Sequence, residues 1–206
     1  MMGGRMDGFS TGDCSLSING GYVAVDARGD GLDVNGPITM TGGVVIVNGP
    51  TSNNNGALDY TGVFNLTGGY LVAVGSAGMA QAPSTSSTQY SVMVNLPSVQ
   101  AAGTLVHLAT EDGQDLLTLA PTKEYQSVVF SSPELKNGDT LVVTSGGSST
   151  GSVADSLYTG GSYSGGSQVA SFTISSIVSG AGAMGGGLGG GFGGAMPPAR
   201  GGRQRP

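Results

Sequence analysis

SLSINGGYVAV (Ser15–Val25), PITMTGGVVIV (Pro37–Val47) and VFNLTGGYLVAV (Val63–Val74) are three versions of one phrase. Each alternates apolar and polar residues, turns at a Gly-Gly pair, and resumes as a valine-rich run. The pairs begin at Gly20, Gly42 and Gly68, giving periods of 22 and 26 residues. Alternation with period two is strand patterning, and a strand-plus-turn unit repeated at this interval is the mark of stacked coils. Glycine suits such corners because it accepts positive φ without steric cost.

Working outward, an offset of 26 aligns Leu32-Asp33 with Leu58-Asp59, Ile38 with Phe64, and Met40 with Leu66. Each coil therefore reads as a turn, a short Leu-Asp strand, a Gly turn, a strand, the Gly-Gly turn and a further strand. In register, Leu16, Ile18, Ile38, Met40, Phe64 and Leu66 form apolar ladders inside a parallel β-helix of about three coils over residues 13–84. From Gln89 the repeat is lost. Strands are predicted at Ser91–Leu96, Thr104–Ala109, Leu116–Ala120, Gln126–Ser131 and Thr140–Thr144, with a last one over Gln168–Val178. Asp112-Gly113 and Asn137-Gly138 mark turns, and SGGSSTGS and YTGGSYSGGS read as loops. Residues 85–179 are thus expected to form an antiparallel cap that covers the edge of the last coil. Residues 1–12 read as a flexible Gly/Met-rich stretch, and 180–206 as a disordered Gly-rich tail ending in arginines.

Composition agrees with an all-β chain. Glycine supplies 40 of 206 residues, and each one inside a helix costs about 1 kcal/mol. Between Met6 and Ser179 the chain carries 13 carboxylates against Arg28, Lys123 and Lys136. Such a body repels phosphate backbones, which argues against nucleic acid as a partner. It suits a cation, or an acidic polymer held through cations, although acidic surfaces also serve solubility alone. Cys14 has no partner for a disulfide. The first residues lack the apolar core of a signal peptide, and no run reaches membrane-spanning length.

DARGDGLDVNG (Asp26–Gly36) concentrates oxygen donors. Calcium takes six to eight oxygens, and Asp30, Asp33, Asn35 and Asp59 are the candidate ligands, with Asp26 and Asn53–Asn55 nearby in sequence. The loop is not an EF-hand, because Arg28 and Pro37 stand where ligands belong. The plainer reading is that these residues make Asx turns and side-chain ladders between coils. Tyr22, Tyr60 and Tyr70, beside carboxylates and amides, suit sugar rings as well as ordinary strand packing. Catalysis has little support. His107 reads as a structural histidine in TLVHLAT, Cys14 as a small turn or core residue, and no serine sits in a GxSxG setting. A lyase would need a base, and Arg28 is the basic residue of the coil segment.

The phrases LSINGGYVAVDARGDGLDVNGPITMTGGVVIVNGPTSNNNGALDY, SAGMAQAPSTSSTQYSVMVNL and AAGTLVHLATEDGQDLLTLAPTKEYQSVVFSSPEL resemble a bacterial family of secreted carbohydrate-binding proteins. Its members are right-handed parallel β-helices of the pectate-lyase-like type that bind calcium and plant cell-wall polysaccharides, including acid sugars. The likeness runs from about Cys14 to Val178. It implies a secreted or cell-surface, non-catalytic polysaccharide-binding protein; an adhesin or structural repeat protein, and a calcium-dependent lyase, are the alternatives. Members carry a leader and more N-terminal coils than this chain, so it reads as their C-terminal portion, whether from a truncated gene, a wrong start or a split reading frame.

Overall fold

A computed structural model describes residues 14–182. The expected flexible stretch (1–12) and most of the expected tail (180–206) lie outside the described residues. Among the described residues every regular element is a strand.

The repeat region contains β1 (Leu16–Asp26), β2 (Leu32–Val34), β3 (Ile38–Asn48), β4 (Leu58–Tyr60), β5 (Phe64–Leu66) and β6 (Tyr70–Gly75). All pairings among them are parallel. β1 lies against β3 with Leu16 opposite Ile38 and Ile18 opposite Met40. β3 continues onto β5 with Ile38 opposite Phe64 and Met40 opposite Leu66, and onto β6 with Val44 opposite Tyr70. A separate ladder joins β2 to β4, with Leu32 opposite Leu58 and Asp33 opposite Asp59. These are the registers set by the 22- and 26-residue offsets. The reason is the pleat: a slip of one residue would turn Ile38, Met40, Phe64 and Leu66 outward, and all four are fully buried.

The Gly-Gly corners are asymmetric. Gly21, Gly43 and Gly69, the second of each pair, take positive φ. At Gly43 (φ 92°) a Cβ would also sit 2.8 Å from the Gly20 carbonyl carbon of the corner stacked against it. The glycine there permits both the turn and the close stacking.

The segment after β6 continues to follow the repeat without forming regular strand. Ser84 Oγ accepts from the Phe64 amide at 2.9 Å and Ser87 Oγ from the Leu66 amide at 3.0 Å. Serine hydroxyls thus replace backbone carbonyls along the free edge of β5, which answers the need of edge amides for partners.

The second half contains β7 (Ser91–Gln100), β8 (Val106–Thr110), β9 (Asp115–Leu119), β10 (Tyr125–Ser131) and β11 (Thr140–Ser145). After them come β12 (Ser148–Ser149), β13 (Ser152–Ala154), β14 (Leu157–Thr159), β15 (Tyr163–Ser164), β16 (Ser167–Thr173) and β17 (Val178–Ala181). β10 pairs antiparallel with β6 and so covers the edge of the last repeat, as expected of a cap. The cap is not a separate body, however. β10, β7 and β17 extend the repeat sheet in the order β1-β3-β6-β10-β7-β17. A second sheet, β13-β14-β9-β8-β11-β16, lies apart from it. One core joins Ile46, Val72, Val94 and Phe130 of the first sheet to Leu108, Leu119, Leu141 and Val143 of the second. Another gathers Val45, Val47, Leu71 and Met93 with Ile38, Phe64 and Leu66. The central sheet is therefore buried on both faces, which is why VVIV and YLVAV are nearly continuous apolar runs.

Three local expectations are corrected. SGGSSTGS and YTGGSYSGGS are not plain loops, because they contribute the short strands β12 to β15. The β13–β14 hairpin turns through Asp155 and Ser156 at positive φ, without the Asn-Gly or Asp-Gly that marks such turns. The expected last strand is two, β16 antiparallel to β11 and β17 parallel to β7. Finally, the start of the expected disordered tail is ordered, since Gly180 and Ala181 pair with Met93 and Val94.

Candidate cation and polysaccharide site

The in-register β2–β4 ladder decides the geometry of the acidic edge. Leu32 and Leu58 point to the interior, so Asp33 and Asp59 project the other way from adjacent strands. Parallel neighbours lie roughly 4.8 Å apart, and the two carboxylates therefore stack. Asp30 is fixed beside them by accepting the Gly56 amide at 2.7 Å. Burial, and then the negative charges of Asp30 and Asp33, push the Asp59 carboxyl above the ordinary carboxylate range. Asn35 is exposed in the turn after β2. It shares with Asp33 an open depression of about 490 Å³ at the first repeat.

The donor set is partial. Among the described residues no three His, Cys, Asp or Glu side chains converge closely enough to cage a metal ion. Two stacked carboxylates with a third nearby form a bridging face, and calcium there would draw its remaining oxygens from water and from a ligand. Two of the other expected donors, Asn54 and Asp26, are engaged elsewhere. Asn54 accepts from Ser52 Oγ in its own turn. Asp26 pairs with Lys123, whose Nζ also donates to the carbonyls of Ala27 at 2.5 Å and Asn48 at 3.1 Å. The Asp26 carboxyl is held low first by Lys123 and then by the Thr122 hydroxyl. The sequence shows Arg28 as the basic residue of the repeat region; the fold brings Lys123 beside Asp26 and Asn48 of the repeats as well.

Asp59 gives a pH test. Its folded pKa is raised, so the folded state binds this proton more tightly than the unfolded chain does. The stability it contributes is present below about pH 4 and is lost as pH rises through the raised value. At neutral pH the ionised group opposes folding. Asp59→Asn is expected to melt roughly 1–2 °C above the parent at pH 7, because a partly solvated repulsion is worth less than about 1 kcal/mol. The difference should vanish near pH 3.5. Calorimetric melts at the two pH values check this, and an unchanged neutral-pH melting point would contradict it.

The three tyrosines do not share one platform. Tyr22 and Tyr70 lie two repeats apart in one row, with Val44 between them. Tyr60 belongs to the β2–β4 ladder. Tyr70 packs edge-on against Phe130 at 5.2 Å and donates to the Leu116 carbonyl at 3.3 Å. Tyr60 packs edge-on against Phe64 at 5.7 Å and donates to the Ala82 carbonyl at 2.6 Å. Tyr22 is 51% exposed, so of the three its ring alone is mostly open. Tyr70 also lines a cleft beside β9, together with Tyr158 and Tyr163, which sequence reading missed; aromatic residues two apart from a Gly-Gly were the available signal.

His107 is buried, as a structural histidine should be. Its Nδ1 lies 2.8 Å from Thr118 Oγ1 and its Nε2 3.2 Å from Asp115 Oδ1. Cys14 is exposed, not in the core. Among the described residues no helix is long and apolar enough to cross a membrane. No family model matches the chain, and no curated protein or solved structure matches it either.

Proposed function

We propose that the protein is a non-catalytic polysaccharide-binding protein, secreted or held at the cell surface, whose repeats are coils of a short right-handed parallel β-helix. The stacked Asp33–Asp59 pair, with Asp30 beside it, is the observation that carries this reading. Adjacent carboxylates on a rigid ladder repel each other, and a divalent cation removes that repulsion. Because the protein supplies only part of a calcium shell, the carboxylates of a uronic-acid polymer complete it, and the cation bridges the two acidic partners. The family resemblance of the repeat phrases points the same way.

Isothermal titration of calcium into the protein with oligogalacturonate present tests this. The expected result is saturable heat in the parent and its loss in Asp33→Ala. Heat that is absent in the parent, or unchanged in the variant, would overturn the cation bridge. A lyase reading requires a base that abstracts a proton. Arg28 is exposed, and a guanidinium is not deprotonated in proteins, which makes it a poor base. No ultraviolet-absorbing unsaturated uronide is therefore expected from pectate, and its appearance would restore the lyase.

A further inference from the structure

The second sheet carries a cleft that is separate from the acidic edge. β9 pairs with β8 along its length on one side. On the other side β14 meets it only where Leu157 faces Leu119. The stretch from Asp115 to Thr118 is consequently left beside an opening of about 170 Å³, whose walls include Tyr70 of β6 with Tyr158, Tyr163, Asp115, Thr118 and Gly160.

One buried group organises this wall. His107 is 5% exposed, and its ring stacks on Tyr163 at 3.9 Å with the planes 11° apart. Burial is the largest influence on its basicity and lowers it, so the ring is neutral at pH 7. The consistent tautomer donates from Nε2 to Asp115 and accepts at Nδ1 from the Thr118 hydroxyl. A second tie fixes Tyr163, whose hydroxyl donates to the Gly146 carbonyl at 2.9 Å. Asp115, with its side chain 61% exposed, is thereby presented at the mouth of the cleft in a set orientation. Bare glycine forms the rim, and beyond Gly160 the direction a side chain would take is open.

Preorganised aromatic rings, an oriented carboxylate and hydroxyls around a space of this size are the recognition chemistry of a single sugar ring. Apolar C–H faces pack on tyrosine while ring hydroxyls donate to the carboxylate. Arginine and lysine do not line the cleft, and Asp115 repels anions, so a uronate is disfavoured. We infer that this cleft is a subsite for one neutral pyranose unit of a glycan, with Tyr158 and Tyr163 packing the ring and Asp115 accepting its hydroxyls. The Thr118–His107–Asp115 chain does not serve as a nucleophilic relay. Its hydroxyl is the buried end, 9% exposed, and its carboxylate is the end that faces the ligand.

This subsite needs no cation and stands independently of the acidic edge. The test is amide NMR titration in EDTA with cellohexaose, xylohexaose and mannohexaose in turn, with trigalacturonate as the charged comparison. One or more neutral oligosaccharides should shift amides of residues 115–118 and 158–163 at concentrations up to about 10 mM. Tyr158→Ala and Asp115→Ala should each weaken that binding at least about tenfold, while Asp33→Ala leaves it unchanged. Amide spectra and melting points establish that each variant is folded. The inference is overturned if no neutral oligosaccharide shifts these amides, if folded Asp115→Ala binds as the parent does, or if trigalacturonate shifts them equally. Calcium-dependent uronate binding that survives such a failure would sink only the neutral subsite.

Discussion

Phe64→Ala is expected to cost about 3–5 kcal/mol, the range for emptying a buried aromatic site. Phe64 is fully buried on β5, opposite Ile38 of β3. Its ring also supports Tyr60 edge-on, one residue along β4 from Asp59. The cavity cannot collapse easily, because Phe64 is held by its neighbours on both sides: β3 pairs with it, and Ser84 caps its amide. At about 2–4 °C per kcal/mol for a chain of this size, the melting point should fall by roughly 6–20 °C. Thermal melts followed by circular dichroism measure it. Val63→Ala on the same strand approach, at 42% exposure, should change the melting point by no more than about 2 °C. Equal effects from the two substitutions would mean that the ladder is not the core described above.

Gly43→Ala should have the next largest effect, with Gly20→Ala as its control. Both are glycines of Gly-Gly corners, yet they differ in what a methyl group would meet. At Gly43 the positive φ disfavours an L side chain by about 1–2 kcal/mol. The Cβ would also press on the backbone of Gly20 and Gly21 from the neighbouring corner, and backbone cannot rotate away. A total near 2–3 kcal/mol is expected. Gly20 lacks positive φ, and nothing lies within 4 Å of its Cβ position, so its replacement should be nearly neutral. Urea denaturation of the two variants separates them through their midpoints. Matching midpoints would refute the stacked-corner geometry.

The repeat was legible because its information is local and repeated. Leu32-Asp33 against Leu58-Asp59, and Ile38-Thr39-Met40 against Phe64-Asn65-Leu66, declare their register by simple offset, and the pairs form as the offset requires. The later strands were legible individually but not in their arrangement. Nothing in SVMVNL or QSVVFS says that β7 and β10 join the repeat sheet while β8, β9 and β11 form another. Such sorting is set by which apolar face meets which, at long separation in the chain. The Asp155-Ser156 turn was missed because Asp155 tolerates positive φ but serine stands where glycine usually follows it in such turns. Of the site, the carboxylate stack was readable from the 26-residue offset. The role of Lys123 was not, since 97 positions separate it from Asp26. The tyrosines illustrate the same limit: their neighbours in sequence did not reveal that Phe64 and Phe130 pack against Tyr60 and Tyr70, or that Tyr70 shares a cleft with Tyr158 and Tyr163.

The most direct test of polysaccharide binding through a cation is affinity electrophoresis in gels containing polygalacturonate, run with calcium and with EDTA. The parent protein should be retarded when calcium is present and should migrate freely in EDTA. Asp33→Ala combined with Asp59→Ala, folded by its circular dichroism spectrum, should lose at least about tenfold of the retardation. Calcium-dependent retardation that survives in the double variant, or free migration of the parent in calcium, would contradict the assignment of the acidic edge as the binding face.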